Sequence, residues 1–311
     1  MGKGISFRFW GVRGSIPCPG PDTVRTGGNT SCIELRFGEE NRPLIIDAGS
    51  GLRALGDFML KNDLPKGPIN TDILMSHTHW DHIMGFPFFP PLYIKSSNLR
   101  IYGPVTYEDE SLEQIIGGQL RYRYFPVRQD ELSAHIEYKE LKETSFEIGD
   151  GIFITTKYMN HPILCLGYRI EYKGKVFCTA YDNEPFRNVF PTDPADPDYD
   201  QIVAEEGELA AEEENKKMER FFEGADVLVY DTQYTLKEYK ASKTGWGHCT
   251  FEHAVNSAHK AGVKKLLFFH HDPMRTDAQL DELLAAYKNI VKNKTSLTLE
   301  IAREGTPYIE I

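Results

Sequence analysis

Three histidines and one aspartate lie within six residues, at His77, His79, Asp81 and His82. They follow Asp72–Ser76, a short and mostly apolar run that is typical of a buried strand. Alternate side chains of an extended segment point the same way, so His77 and His79 can converge on one ion. A turn at Asp81 can present Asp81 and His82 to a second ion. A lone histidine is usually a packing residue, but four donors at this spacing predict a metal site.

The pattern His-x-His-x-Asp-His resembles the signature of the metallo-β-lactamase-fold hydrolases. Three more segments follow predicted strands in the order expected for that family: Asn160-His161-Pro162, Thr179-Ala180-Tyr181-Asp182 and Phe269-His270-His271-Asp272-Pro273. The resemblance implies that one metal ion is held by His77, His79 and His161, that the other is held by Asp81, His82 and His270, and that Asp182 bridges both. It also implies an α/β fold, the αββα sandwich, with two mixed sheets flanked by helices and the site at one edge.

Each distal residue has another interpretation. His161 precedes a proline, which favours an extended backbone, but histidines before loops are common. Asp182 could cap a turn instead, although bridging two ions requires two separate oxygens, which aspartate has. His270 and His271 compete for one role, and alignment to the family's His-x-x-Pro pattern favours His270.

The donor types leave the identity of the metal open. Imidazole and carboxylate donors suit two divalent ions of Zn, Mn or Fe and disfavour a structural cysteine-based zinc site. Two such ions about 3.5–4 Å apart can share a water and lower its pKa to about 7, so hydrolysis is the expected reaction. The five cysteines are scattered and form no Cys-x-x-Cys pair, which predicts reduced thiols: Cys18, Cys32, Cys165, Cys178 and Cys249.

A second pair of segments indicates which kind of bond is cut. Asp231 ends a predicted buried strand, and His248 stands two residues before Thr250, near the start of a predicted helix. This arrangement resembles the phosphodiesterase branch of the family, which includes ribonuclease Z and the small cyclic phosphodiesterases. There an acidic residue, more often glutamate, orients a histidine of a His-x-Thr motif. Asp231 and His248, together with Asp81, are therefore the predicted catalytic residues, while Thr250 could cap the helix.

Two glycine-containing segments near the N-terminus resemble elements of the same proteins. Gly27-Gly28-Asn29-Thr30-Ser31 resembles a Gly-Gly-Asn-Thr-Ser element, and we expect it to support neighbouring loops by hydrogen bonds. Phe9-Trp10-Gly11-Val12-Arg13-Gly14-Ser15 resembles the opening of a bacterial subgroup of unassigned hydrolases and indicates no mechanism by itself.

Charge and composition restrict the partners. The 311 residues carry a formal net charge of −11. Between residues 184 and 222 twelve acidic residues face four basic ones, which predicts a solvated loop and helix face. Such a surface repels a polyanion, so nucleic acid is an unlikely partner. No apolar run reaches the ~20 residues of a membrane helix and the start lacks a secretory pattern, so we expect no membrane association and a cytoplasmic location.

Strand and helix patterns recur in two halves without a Gly/Ser- or Pro-rich linker between them. We therefore expect one domain over residues 1–311, with insertions near residues 104–143 and 185–222. The predicted strands are Ile5–Phe9, Cys32–Phe37, Leu44–Asp47, Asp72–Ser76, Ile152–Tyr158, Leu166–Tyr172, Lys175–Ala180, Val227–Asp231 and Lys265–Phe269, and the predicted helices are Gly51–Lys61, Phe251–Ala261 and Asp277–Val291. The aromatic residues of 84–93 could stack on a base, pack the core or form a dimer interface, and we favour packing; a homodimer is therefore possible.

The hypothesis that combines these observations is a dinuclear phosphodiesterase in which a metal-bridging hydroxide attacks a small, cyclic nucleotide. One alternative is a ribonuclease Z-like endonuclease that processes the 3′ end of tRNA. Another is a hydrolase of carboxylic esters, thioesters or lactones, for which the Asp231 and His248 pair is superfluous. A non-enzymatic alternative is a metal-stabilised nucleotide-binding protein, for which an activated water has no purpose.

Overall fold

Two seven-stranded mixed sheets face each other in the computed structural model, which describes residues 4–106 and 110–311. The first sheet has the spatial order β14 (Ile309–Glu310), β1 (Ile5–Gly11), β2 (Cys32–Phe37), β3 (Arg42–Ile46), β4 (Asn70–Leu74), β5 (Asn98–Pro104), β6 (His135–Leu141). The second has the order β13 (Thr298–Ile301), β12 (Lys265–Phe269), β11 (Val227–Asp231), β10 (Lys175–Ala180), β9 (Cys165–Tyr172), β8 (Phe153–Met159), β7 (Ser145–Glu147).

Each sheet changes from antiparallel to parallel pairing part-way across. In the first sheet β14, β1, β2 and β3 pair antiparallel, and β3 to β6 pair parallel. In the second, β7 to β10 pair antiparallel and β10 to β13 pair parallel. The carboxyl ends of the parallel strands therefore meet at one edge of each sheet, where α/β proteins commonly bind ligands.

The main core fills the space between the sheets. Strand β1 buries every second residue, because its alternate side chains face the second sheet. Phe7 packs on Phe177 with ring centroids 5.1 Å apart, and Phe9 packs on Phe269 at 5.7 Å. Such aromatic pairs add about 0.5–1.5 kcal/mol to the free energy of burial. They hold the two sheets in register beside the carboxyl edges.

Helices cover both outer faces. The helices are α1 (Leu52–Asn62), α2 (Trp80–Ile83), α3 (Leu112–Gly118), α4 (Gln201–Phe221), α5 (Leu236–Glu238), α6 (Phe251–Lys260) and α7 (Asp277–Val291). One outer cluster packs α1 and α3 against the first sheet, and another packs α4, α6 and α7 against the second. This four-layer arrangement confirms the predicted αββα sandwich.

The regions predicted as insertions contain regular structure. Residues 104–143 include α3 and the edge strand β6, while residues 107–109 lie outside the described part of the chain. Residues 185–222 include α4, whose Met218 and Phe221 face the core and whose acidic residues are largely exposed. In the aromatic segment 84–93, Phe86 and Phe89 are fully buried in the outer cluster of the first sheet. Over the described residues, no helix combines the length and apolarity needed to cross a membrane.

Candidate metal centre

The predicted ligands converge at the carboxyl ends of the strands of both sheets. The segment from His77 to His82 follows β4, His161 follows β8, Asp182 follows β10 and His270 follows β12. Three groups of donor atoms result, and within each group all atoms lie within 4.8 Å of one another. The third group joins Asp231 and His248 to Asp182 and His270, which it shares with the second. We define the first cluster as His77, His79, His161 and Asp182, and the second cluster as Asp81, His82, Asp182 and His270.

Three imidazole nitrogens face one point in the first cluster. Nε2 of His77 lies 3.0 Å from Nδ1 of His79, and Nε2 of His161 lies 3.1 Å from the same atom. Oδ2 of Asp182 is 3.4 Å from Nε2 of His77 and 3.8 Å from Nε2 of His161. Three nitrogens and one carboxylate oxygen at these separations can surround a single divalent ion.

The second cluster is formed in the same way and is buried throughout. Nε2 of His82 lies 3.2 Å from Nε2 of His270. Oδ2 of Asp81 is 3.4 Å from Nε2 of His82 and 3.1 Å from Nε2 of His270. Oδ1 of Asp182 is 3.2 Å from Nε2 of His270, and its Oδ2 is 3.4 Å from Nε2 of His82.

Asp182 is the member that the two clusters share. Its carboxylate is buried, and among the described residues no group forms a hydrogen bond with Oδ1. A buried carboxylate oxygen without a partner is costly, and a cation removes that cost. The donor set therefore fits two divalent ions with Asp182 between them.

The backbone is strained at three residues that position this edge. Asp47, Asp182 and His270 follow β3, β10 and β12 with φ of 60°, 21° and 57°. Positive φ is unfavourable for residues other than glycine and persists where the surrounding structure holds it. This local strain aims all three side chains across the sheet edge.

Hydrogen bonds select which ring nitrogen faces each cluster. Nδ1 of His161 lies 3.0 Å from the carbonyl oxygen of Gly247, and donation to that oxygen leaves Nε2 free to bind a metal. Nδ1 of His82 lies 2.7 Å from Oδ2 of Asp47. Asp47 also accepts hydrogen bonds from the backbone N–H and the hydroxyl of Ser76, at 2.7 and 2.9 Å. Carboxylates that orient metal-binding histidines in this way commonly raise the affinity for the ion.

Asp47 is a functional candidate that the sequence analysis did not identify. It stands in Asp47-Ala48-Gly49-Ser50-Gly51, as the last residue of the predicted strand Leu44–Asp47. An aspartate followed by two glycines at a strand end is a turn signal, but the partner of its side chain lies 35 residues further on, at His82.

The protonation states of most donors suit metal binding. Burial lowers the pKa of His77 well below its usual range and brings that of His161 to about 4, so both rings are neutral. Burial alone would raise the pKa of Asp81, but His82 and His270 lower it strongly. At His82 burial acts to lower the pKa, yet the carboxylates of Asp81, Asp182 and Asp47 raise it well above 6.5. A proton and a metal ion therefore compete for Nε2 of His82.

Asp231 and His248 form a pair beside the second cluster. Nδ1 of His248 lies 2.9 Å from Oδ2 of Asp231, so the shorter aspartate reaches the ring. The imidazole of His248 stacks on that of His270, with centroids 5.1 Å apart. Burial opposes the charged form, but Asp231 and Asp182 together raise the pKa of His248 to about 9. Thr250 caps α6 by accepting a hydrogen bond from the N–H of His253 at 3.1 Å.

Glu184 is a second functional candidate that the sequence analysis did not identify, because it was counted with the acidic segment. It is buried, and Oε2 accepts a hydrogen bond from the N–H of Gly247 at 2.9 Å, while Oε1 accepts one from the N–H of Gly245 at 2.7 Å. Since Gly247 in turn accepts from His161, Glu184 positions the loop that fixes this ring. Nothing in the local sequence distinguishes Glu184 from the exposed acids that follow it.

His271 points away from the clusters. Its Nε2 lies 3.1 Å from the carbonyl oxygen of Ala302, and burial lowers its pKa to about 3. The structure thus brings His270, and not His271, into the group of donors. The five cysteines are free thiols, in agreement with their scattered spacing.

Comparison with solved structures defines the class of this protein. The metallo-β-lactamase fold protein YhfI from Bacillus subtilis aligns over 99% of each chain, with a TM-score of 0.65 and 19% identity. The short form of human tRNase Z aligns over 98% of this chain and 99% of its own, with a TM-score of 0.61 and 18% identity. The chain therefore has the metallo-β-lactamase fold, and its clusters can hold two divalent ions.

The chain is also similar in sequence to curated proteins named Ribonuclease Z. A Ribonuclease Z from Lactococcus lactis subsp. lactis (strain IL1403) is 29% identical over 275 residues, which are 78% of this chain and 83% of that protein. No protein-family model matches the chain. Fold, donor clusters and relatives together identify a metal-dependent hydrolase of the metallo-β-lactamase fold.

Proposed function

We propose that this hydrolase is a dinuclear phosphodiesterase whose substrate is a small nucleotide, such as a cyclic one. The observation that carries the proposal is the pairing of His248 with Asp231 at 2.9 Å directly beside the second cluster. Hydrolysis of a carboxylic ester, thioester or lactone needs the metal ligands but gives this pair no evident task. Cleavage of a phosphodiester expels an alkoxide, which needs a proton.

Seven residues are the proposed metal ligands: His77, His79, Asp81, His82, His161, Asp182 and His270. Two bound divalent ions would supply an activated water and stabilise negative charge on the phosphate. Within this arrangement Asp182 fixes the spacing of the two clusters, because its two oxygens face different histidines. Asp81 is held by a hydrogen bond from the backbone N–H of Ser15 at 2.7 Å.

His248 is the proposed proton donor to the leaving group. Asp231 accepts a hydrogen bond from the N–H at Nδ1, so Nε2 is the ring atom left to meet a substrate. Because Asp231 favours the protonated form of the ring, His248 can donate a proton or stabilise charge on the phosphate. Its side chain is 12% exposed, which permits contact with a molecule that enters from solvent.

Two exposed tryptophans stand next in sequence to His79 and to Gly247, which contacts His161, and they favour a substrate that carries a base. Trp80 follows His79 and is 78% exposed, and Trp246 precedes Gly247 and is 56% exposed. Stacking of a base on an aromatic ring contributes about 1–3 kcal/mol and needs no extended strand. The exposed acids of α4 give no support for a long polyanion on that side of the molecule.

A ribonuclease Z-like activity on tRNA is the second candidate. The similarity of this chain to curated Ribonuclease Z proteins favours it, since it extends over 78% of the chain. It also makes doubtful the sequence-based expectation that nucleic acid is an unlikely partner. The two exposed tryptophans would serve an RNA end as well as a small nucleotide.

A panel of substrates separates these candidates. Purified protein with Mn²⁺ or Zn²⁺ is assayed on bis(p-nitrophenyl) phosphate, cyclic mononucleotides, cyclic dinucleotides, a 3′-extended precursor tRNA, a thioester and a lactone. We expect turnover of the aryl diester and of at least one cyclic nucleotide, with little cleavage of precursor tRNA. Efficient cleavage of the tRNA alone would select the second candidate. Exclusive thioester or lactone turnover would contradict both, and tight nucleotide binding without turnover would indicate a binding protein.

A cytoplasmic location and a homodimer are further parts of this proposal. Four of the five free cysteines are buried, and reduced thiols are typical of the cytoplasm. Fractionation of cells and light scattering of the purified protein test the two points separately.

A further inference from the structure

The segment Arg13-Gly14-Ser15, which the sequence analysis left without a mechanism, lies directly against the second cluster. We name it the Gly14 turn. A Cβ atom added to Gly14 would lie 2.4 Å from both Cε1 and Nδ1 of the His270 ring. Real Cβ atoms do not approach other atoms so closely, so any larger residue must displace the imidazole. Glycine at this position therefore allows the ring of His270 to occupy its place in the cluster.

Ser15 holds the other side of the same cluster. Its backbone N–H donates to Oδ2 of Asp81 at 2.7 Å. The residue has φ of 65°, an unfavourable conformation that the surrounding contacts maintain. One such contact is the hydrogen bond from Nε2 of Gln233 to the hydroxyl of Ser15 at 3.3 Å. The turn thus touches two of the four donors of the second cluster from one short segment.

Arg13 anchors the turn to the rest of the molecule. Its side chain is fully buried, and its guanidinium donates to the carbonyl oxygens of Gly27 and Arg275 at 2.8 and 2.7 Å. The backbone N–H of Gly14 donates to the carbonyl oxygen of His271 at 3.1 Å. The turn is therefore fixed to the loop that carries His270.

We propose that Gly14 and Ser15 are positioning residues that set the metal affinity of the second cluster without changing that of the first. The proposal rests on the ligand assignment made under the proposed function. In the described part of the chain, the close approach of Gly14 reaches His270 and the hydrogen bond of Ser15 reaches Asp81. No hydrogen bond of these described residues joins the turn to His77, His79 or His161. A displacement of the Gly14 turn should therefore weaken metal binding at the second cluster and leave metal binding at the first unchanged.

Zinc titration of the metal-free protein by calorimetry, with metal content measured by mass spectrometry, tests this proposal. Wild-type protein should bind two ions per chain. Gly14→Ala should bind the first ion with unchanged affinity and the second at least tenfold more weakly. Gly20→Ala is the matched control, because it lies six residues further on in an extended conformation, and its Cβ would contact nothing within 4 Å. It should behave as wild type.

A second variant isolates the N–H of Ser15. A backbone ester at position 15 replaces this N–H by oxygen and changes no side chain, and it should again weaken only the second ion. Ser15→Gly keeps the N–H and tolerates the positive φ, so it should retain both ions. If the Gly14→Ala protein shows no cooperative thermal unfolding, and is therefore not folded, the metal affinities of the ester variant test the proposal instead.

Several results would overturn the inference. Equal weakening of both ions would show a general structural defect, and two unchanged ions in the Gly14→Ala protein or in the ester would show that the turn has no such role. Wild-type protein that binds fewer than two ions would instead contradict the ligand assignment itself. Turnover of bis(p-nitrophenyl) phosphate is measured in parallel, so that failure of the proposed reaction is distinguishable from failure of the turn to control binding.

Discussion

The two clusters differ in how they are held. In the first, two of three histidines come from one short extended segment, and His79 is only half-buried. The second is buried throughout. Both clusters have support from distant segments: the second from Asp47 at His82 and Ser15 at Asp81, and the first from Gly247 at His161. The comparison suggests a division of tasks. The first cluster is open to an incoming molecule, whereas the second is enclosed and adjoins His248.

Removal of Asp182, the ligand that the two clusters share, should have the largest effect on metal binding and turnover, because both clusters lose a donor. Asp182→Asn loses one carboxylate oxygen and the charge, so both ions should bind weakly. Phosphodiester turnover should fall by roughly 10³-fold. Steady-state kinetics and metal content measure the two effects, and Asp198→Asn, at an exposed site, is the control. Loss of only one ion would contradict a bridging role.

Replacement of His248 should separate chemistry from metal binding. We expect His248→Ala to lower kcat by about 10²–10⁴-fold while both ions remain bound. The defect should be larger for a cyclic nucleotide, which expels an alkoxide, than for bis(p-nitrophenyl) phosphate, whose leaving group needs no proton. His259→Ala alters an exposed histidine of α6 and serves as the control. Equal defects on the two substrates would exclude proton donation to the leaving group.

A substitution at Asp47 should affect the second cluster more than the first, because Asp47 contacts His82 directly and reaches His77 only through the hydroxyl of Ser76. Asp47→Asn leaves Nδ1 of His82 without its carboxylate, and we expect the affinity for the second ion to fall by about 10–100-fold. Calorimetric titration with Zn²⁺ measures this change. Asp57→Asn on the exposed side of α1 should leave both affinities unchanged. A comparable loss at the first cluster would mean that the two sites are not held independently.

The smallest expected effect is a change of the free energy of unfolding with pH. It arises at Glu304, which supports the Gly14 turn through Asn29. Glu304 accepts hydrogen bonds from the backbone and side-chain N–H groups of Asn29, whose carbonyl oxygen accepts from the N–H groups of Val12 and Arg13. Burial raises the pKa of Glu304 from 4.5 to about 7. The protonated form is thus favoured by folding, and its contribution is complete below pH 4.5 and lost as the pH rises through 7.

The free energy of unfolding of wild type should therefore fall relative to Glu304→Gln by on the order of 2 kcal/mol between pH 4.5 and 7.5. Denaturant unfolding of the two metal-free proteins at several pH values measures the difference, in which the titration of the histidines cancels. A difference that does not change with pH would exclude a raised pKa at Glu304.

The first half of the site is readable from the sequence because its donors are contiguous. His77, His79, Asp81 and His82 reveal themselves by spacing, and most strands of the core were predicted from short apolar runs. His161, Asp182 and His270 belong to separate strand ends, so only the family resemblance pointed to them. The structure brings them to the predicted place. Their roles as ligands stay predictions.

The supporting residues could not be found from the sequence, since their partners are remote. Asp47 acts on a histidine 35 residues away, and Ser15 on an aspartate 66 residues away. Strand β6 was missed because four of its seven residues are polar or charged and it lies at a sheet edge. Helix α4 was read only as part of an acidic segment, because its apolar residues are few and widely spaced. Such features depend on tertiary packing more than on local pattern.

Anomalous scattering from crystals grown with Mn²⁺ or Zn²⁺ tests the central claim most directly. We predict two peaks about 3.5–4 Å apart, one among His77, His79 and His161 and the other among Asp81, His82 and His270, with Asp182 between them. A single peak, or two peaks elsewhere in the molecule, would contradict the account.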